Sequence, residues 1–132
     1  MTTPLHYASD NDHIDAMQQL IRAGANINKK DNFGCTPLHE ASWNGHTNAI
    51  QLLIEAGANV NEGNDMGWTP LHNASDNGHT DGIQLLIDAD ADINASDNSE
   101  HTPLYWAMNS NHIDAIQLLR KHGAHSKRYH HP

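Results

Sequence analysis

The twelve histidines are the chain's richest source of possible metal ligands, because imidazole is a common ligand of zinc. Seven of them occupy two positions that recur along the chain: His6, His39 and His72 in one set, and His13, His46, His79 and His112 in the other. Residues that recur once in every 33 lie one segment apart and do not converge on one ion. The C-terminal histidines, His122, His125, His130 and His131, form no closed tetrahedral set. We therefore expect no metal site, and zinc binding is the alternative interpretation.

The run from Asp88 to Asn94 carries aspartate at alternate positions, as the start of a calcium-binding loop does. Such a loop needs glycine at its sixth position and glutamate at its twelfth, where this chain has Ile93 and Ser99. Calcium binding is thus a second alternative. Cys35 and His39 resemble a nucleophile and a base, but no phosphate loop or nucleophile elbow accompanies them. We expect no enzymatic activity and no cofactor.

A repeated motif contains many of these residues. Thr-Pro-Leu-His begins at Thr3, Thr36 and Thr69, and Thr-Pro-Leu-Tyr begins at Thr102, in steps of 33 residues. Ile-Gln-Leu-Leu begins at Ile50, Ile83 and Ile116 in the same phase. Repetition with one period indicates that the chain is an array of similar units.

Each unit predicts two short helices and a loop. Thr36 is a favourable N-cap, and Pro37 suits the first helical turn, where its missing N–H costs nothing. Gly45 predicts a left-handed end to this helix. A second helix with a broad apolar face follows from about Thr47. The segment from Ala58 to Trp68 is rich in Asn and Gly and predicts a turn-forming connection.

The period and motif together resemble the ankyrin repeat family. The resemblance implies an all-α repeat stack, an α-solenoid of helix-turn-helix units joined by β-hairpin loops. It also implies that the histidine of each Thr-Pro-Leu-His motif hydrogen-bonds the neighbouring turn. We expect one domain over residues 1–132, with repeats at 1–35, 36–68, 69–101 and 102–123 and a tail at 124–132.

Four substitutions depart from the repeat pattern. Gln19 and Arg120 replace apolar residues of the other repeats, as suits end repeats with one exposed side. Asp90 and Glu100 replace glycines, so a left-handed backbone at these sites would be strained.

Charge and cysteine content restrict the possible partners and the compartment. The net charge is −9, and no Lys or Arg occurs from Asp31 to Leu119, so a phosphate backbone would be repelled. No apolar run reaches the length of a membrane span. The single cysteine cannot form an internal disulfide, which favours a reducing compartment. We expect a cytoplasmic protein that binds neither nucleic acid nor membrane.

In the family that this chain resembles, partners bind to the concave face, which is formed by the hairpin tips and the first helices. The corresponding residues chosen here are Tyr7, Phe33, Cys35, Glu40, Trp43, Asp65, Met66, Trp68, Asp76, His101 and Trp106. A core role would require an aromatic residue in every repeat, whereas each tryptophan occurs singly at its position. We therefore expect exposed aromatic anchors with an acidic rim.

The predicted function is that of a monomeric, non-enzymatic module that binds a protein with a basic surface. An inhibitor or an effector would have this pattern. An ion-binding protein or a purely structural scaffold is the alternative.

Overall fold

The computed structural model describes residues 1–126 and consists of four helix pairs. The helices are α1 (Pro4–Asp10), α2 (Ile14–Arg22), α3 (Pro37–Asn44), α4 (Thr47–Glu55), α5 (Pro70–Asp76), α6 (Thr80–Asp88), α7 (Pro103–Asn109) and α8 (Ile113–Lys121). Helix α4 begins at the predicted Thr47. Within the described residues, no helix is both long and apolar enough to cross a membrane. The predicted all-α repeat stack is confirmed.

Helices α1, α3 and α5 share one mode of initiation. Thr36 is extended at φ −96° and ψ 167°, and Pro37 occupies the first turn of α3. The Thr36 N–H donates to His39 Nδ1 at 2.9 Å, and the Thr36 hydroxyl oxygen accepts from the His39 N–H at 3.4 Å. These bonds satisfy donors that a helix start leaves free. Gly45 ends the helix at φ 69°, in the predicted left-handed conformation.

The eight helices stack in two layers. Helices α1, α3, α5 and α7 pack side by side, and α2, α4, α6 and α8 form a second layer behind them. Leu38, Ile50 and Leu53 are fully buried between the layers, and the fully buried Ala41 and Ala49 let the helices approach closely. Burial of this continuous apolar surface is the main stabilising contribution to the stack.

The repeats are joined by three tight turns, here called the tip turns, at residues 31–35, 64–68 and 97–101. In the first turn the Asp31 N–H donates to the Cys35 carbonyl at 2.8 Å, and the Asp65 N–H of the next turn donates to the Phe33 carbonyl at 3.0 Å. The expected hairpins are thus present as turns with isolated ladder bonds, and no strand forms within residues 1–126. The Asp31 carboxylate accepts from the N–H groups of Phe33 and Cys35, which leaves few donors for a ladder.

Each motif histidine hydrogen-bonds the tip turn that follows it along the chain, as the family resemblance implied. His39 Nε2 donates to the Trp68 carbonyl at 2.8 Å, and His72 Nε2 donates to the His101 carbonyl at 3.0 Å. Burial lowers the pKa of His39 and of His72, despite the opposing effect of these bonds. The two imidazoles are therefore neutral and structural.

Within residues 1–126, four residues other than glycine have a left-handed backbone. Asp90 at φ 69° and Glu100 at φ 65° confirm the conformation on which the strain prediction depends. Asp12 at φ 58° and Asn111 at φ 59° were not predicted. They stand where Gly45 and its counterpart Gly78 end their helices, and aspartate and asparagine tolerate this conformation better than most residues.

Candidate functional site

The tip turns and the odd-numbered helices form one side of the stack, here called the inner face. The sequence-predicted residues divide by burial: Tyr7, Phe33, Trp43, Asp65 and Met66 are exposed, Cys35, Glu40, Asp76, His101 and Trp106 are half-buried, and Trp68 is buried. Phe33 is 74% exposed and Met66 is 56% exposed, at the same position of adjacent tip turns. Trp43, on α3, is 44% exposed. The inner face therefore presents several large apolar side chains to solvent.

Trp68 departs from the expectation that all three tryptophans are exposed, because it is only 7% exposed. Its ring lies 5.0 Å from that of Trp106 and 5.9 Å from that of His72, measured between centroids. The Trp106 indole N–H donates to the buried Asp97 carboxylate at 2.8 Å. Trp68, in the second tip turn, and Trp106, on α7, thus pack against each other, and their pairing explains why neither recurs in every repeat.

Hydrogen bonds fix Asp97 beneath this aromatic pair. Burial opposes its ionisation, but bonds from the His101 N–H, the Trp106 indole and the Ser99 N–H outweigh burial and lower its pKa. His101 stacks on Tyr105 with a centroid distance of 3.6 Å, and its buried Nδ1 has no hydrogen-bond partner within residues 1–126. The aromatic cluster is therefore anchored to the third tip turn.

A cavity of about 290 Å³ opens beside the aromatic pair. It lies between the second and third tip turns and α7, and its lining residues are Asp65, Met66, Trp68, Asp97, Asn98, Ser99 and Trp106. The exposed Met66 and the carboxylates at its edge give this cavity both apolar and acidic walls.

A second cavity, here called the α3 cavity, has a volume of about 230 Å³ and is lined by Cys35, His39, Glu40, Trp43 and Asn73. It lies one repeat earlier than the aromatic pair. Cys35 and Asn73 stand 33 residues before Trp68 and Trp106, so the smaller side chains leave the space that the two indoles fill in the next repeat.

One carboxylate, Glu40, lines the α3 cavity, and others lie near it. Burial, together with the nearby carboxylates of Asp10 and Asp31, raises the pKa of Glu40 to about 7. Burial likewise raises the pKa of the Cys35 thiol. Asp31, Cys35 and Glu40 each have a ligand-type atom, and these three atoms lie within 4.8 Å of one another. Sequence reasoning missed this convergence, although Asp31 and Glu40 have the same nine-residue spacing as Asp97 and Trp106.

The Asp88–Asn94 loop does not gather its carboxylates into such a group. Asp88 accepts from the Gln84 side chain at 2.9 Å, and Asp92 accepts from the Asn94 N–H at 3.1 Å. Within residues 1–126, the cluster at Asp31 is the only group of three potential ligands. The histidines considered for zinc at positions 130 and 131 lie outside the described residues.

Two aspartates flank Trp43 along the inner face, because Asp10 and Asp76 occupy its position in the adjacent repeats. Asn44 donates to the Asp10 carboxylate at 2.6 Å, and Ser110 donates to the Asp76 carboxylate at 2.9 Å. These bonds fix both carboxylates on α1 and α5, the helices that pack on either side of α3 and its exposed indole. The arrangement suits a cation above an aromatic ring.

The model of the family described as ankyrin repeats (3 copies) matches residues 1–64 and 58–129. The chain belongs to the ankyrin repeat family. Ankyrin repeats are generally protein–protein interaction modules and are typically non-enzymatic. No curated protein matches the chain significantly.

A further cavity of this ankyrin array, about 560 Å³ in volume, lies at the N-terminal end of the stack, away from the inner-face aromatic residues. It is lined mainly by apolar groups between α1 and the end of α2, including Leu5, Leu20 and Ala25. It lies on the end surface of the first repeat, against which neighbouring repeats pack elsewhere in the array. The two inner-face cavities are smaller but combine apolar and charged groups.

Proposed function

We propose that this ankyrin array binds a partner protein with a basic surface on its inner face. The observation that carries the proposal is the exposure of Phe33, Trp43 and Met66 on one face that also carries several carboxylates and no Lys or Arg. Isolated exposed apolar residues are normal on protein surfaces, but a cluster rimmed by charge is typical of interaction sites.

The apolar side chains would supply most of the affinity. Aromatic residues at the centre of an interface are frequent hot spots, and each can contribute about 2 kcal/mol or more to binding. Phe33 and Met66 lie on adjacent turns joined by the hydrogen bond from Asp65 N–H to the Phe33 carbonyl. Because these turns are already ordered, little conformational entropy would be lost on binding.

The acidic rim would determine the choice of partner. Asp10, Asp65 and Asp76 would attract a basic surface and speed its association, and they would repel nucleic acid. The proposal is for a monomer that acts in a reducing compartment such as the cytoplasm, which the single cysteine supports. An inhibitor that covers its partner's working surface and an effector would use the same contacts.

Affinity capture with matched alanine variants tests this function. Trp43→Ala and Phe33→Ala should each lower the amount of captured partner at least about tenfold, as loss of a hot spot would. Ile113→Ala is the control, because Ile113 is an exposed apolar residue of α8 in the second layer. Thermal unfolding of each variant separates loss of binding from loss of fold. Equal capture by all three variants would contradict the proposal.

A further inference from the structure

A pair of side chains nine residues apart recurs at the tip turns, and its residue types differ from one turn to another. In the third turn, Asp97 accepts from the Trp106 indole nine residues later at 2.8 Å. In the first turn the corresponding residues are Asp31 and Glu40, two carboxylates that approach within 4.8 Å. The donor that satisfies the pair in one repeat is thus replaced by a second acceptor in another.

Asn73 adds a further acceptor to the α3 cavity. It stands at the position of Glu40 in the next repeat, is only 7% exposed, and lines the cavity. Its Oδ1 is buried and has no hydrogen-bond partner within residues 1–126. A buried carbonyl oxygen without a partner destabilises the folded chain, so a ligand that supplies a donor would stabilise it.

Within residues 1–126, no Lys or Arg lines this cavity. Lys30 is the nearest basic residue in sequence, and its ammonium pairs with Glu62 at 3.0 Å. Trp43, whose indole is half exposed, forms an aromatic wall beside the acceptors. The cavity lining therefore combines the Glu40 carboxylate, the Asn73 amide and an aromatic ring. The Asp31 carboxylate lies within 4.8 Å of that of Glu40. All of these groups favour a positively charged donor.

We propose that the α3 cavity is the subsite for one basic side chain, Arg or Lys, of the partner protein. The cation donates to Glu40 and Asp31, reaches the Asn73 amide and lies against the Trp43 ring. At about 230 Å³ the cavity accommodates the end of such a side chain. The inference rests on the proposed function and adds a defined contact to it.

A metal ion is the competing occupant, because Asp31, Cys35 and Glu40 offer three ligand atoms. One Asp31 oxygen already accepts from the N–H groups of Phe33 and Cys35 at 2.8 and 3.0 Å, which favours its structural role in the turn. A metal ion would also leave the Trp43 wall without a function. A basic side chain uses both the acceptors and the ring.

Amide NMR with small probes tests the subsite without a partner protein. N-acetyl-arginine amide and N-acetyl-lysine amide are titrated against the whole chain, and N-acetyl-citrulline amide serves as the neutral isostere of arginine. We expect either basic probe to shift the signals of Glu40, the Trp43 indole and the Asn73 side chain. We expect citrulline to bind at least about tenfold more weakly, since it lacks the charge.

Two variants that each remove one negative charge distinguish an effect at the subsite from an effect of the overall charge. Glu40→Gln should weaken binding of the basic probes at least about fivefold, and Glu55→Gln, at the exposed end of α4, should change it less than about twofold. Equal weakening by the two variants, or equal binding of citrulline, would overturn the proposal. The proposal would also be overturned if micromolar Zn²⁺ displaced the arginine probe from the wild type but not from Cys35→Ser. That result would assign the cavity to a metal ion.

Failure of the subsite is distinguishable from failure of the proposed function. If the basic probes do not bind while partner capture still depends on Phe33 and Trp43, only the subsite is wrong. If the probes bind at the α3 cavity but Trp43→Ala and Phe33→Ala capture partner as the wild type does, the proposed function is wrong.

Discussion

Replacement of Glu100 by glycine should stabilise the array. Glu100 has φ 65°, and its counterparts Gly34 and Gly67 have φ 76° and 77°. A left-handed backbone destabilises a residue other than glycine by about 1–2 kcal/mol. Glycine avoids this cost, but its greater flexibility in the unfolded chain offsets about 0.5–1 kcal/mol of the gain. We therefore expect Glu100→Gly to raise the free energy of unfolding by about 0.5–1 kcal/mol, or the melting temperature by about 2–5 °C.

The surroundings explain why glutamate is tolerated at this position. A Cβ at Gly67 would lie 2.8 Å from the Asn98 backbone nitrogen, and one at Gly34 would lie 2.9 Å from that of Asp65. These glycines are therefore needed for space as well as for conformation. Glu100 is exposed, so its side chain has the conformational cost of a left-handed backbone without the steric cost. Gly67→Ala should accordingly destabilise the array, in contrast to Glu100→Gly.

Urea and thermal unfolding of Glu100→Gly and Glu100→Gln provide the assay. Glu100→Gln removes the charge from the acidic segment between Asp88 and His101 but keeps the Cβ and the strained backbone. Amide exchange should be faster in this segment than in other interior segments of the wild type and should slow in Glu100→Gly. A stabilisation by Glu100→Gln as large as that by Glu100→Gly would refute the strain explanation.

Three further predictions concern buried groups. Trp68→Ala should lower the free energy of unfolding by about 3 kcal/mol or more, because it empties the space beside Trp106; urea midpoints measure this, and an unchanged midpoint would contradict the packing role. The free energy of unfolding should fall as the pH drops below 6.5, the ordinary pKa of histidine. The reason is that His39 and His72 bind protons at a higher pH in the unfolded chain than in the folded chain. A flat pH profile of stability that His39→Gln does not alter would contradict this. Glu40 has the opposite effect on the pH dependence of stability, since its raised pKa makes the folded chain bind a proton between pH 4.5 and about 7. Glu40→Gln should therefore stabilise the array above pH 7 by about 1 kcal/mol after allowance for solvent screening. Near pH 4.5 the same variant should bring no gain in stability.

The sequence predicted the features that each repeat determines locally. Thr36 and Gly45 carry the signals that begin and end α3, and His39 occupies a motif position with a defined hydrogen-bonding role. The left-handed backbone at Asp90 and Glu100 followed from comparison with glycines in other repeats. Such features depend on residues close in sequence, so the repeat pattern contains the necessary information.

Features that depend on contacts between different elements of the stack were not predicted. Trp68 was expected to be exposed because it occurs once, but its partner Trp106 comes from α7, and the two changes compensate each other. The close approach of Asp31, Cys35 and Glu40 similarly requires the turn to fold back on the start of α3. A comparison of side-chain pairs, rather than of single positions, could have indicated both.

Site-specific photocrosslinking tests most directly whether the inner face binds a partner protein. A benzophenone amino acid is placed at Trp43 on the inner face or at Gln51, an exposed residue of α4 in the second layer. After irradiation in lysate, we expect the position-43 probe to form one dominant covalent adduct that the position-51 probe does not form. The same adduct in equal yield from both positions, or an adduct from position 51 alone, would contradict binding on the inner face.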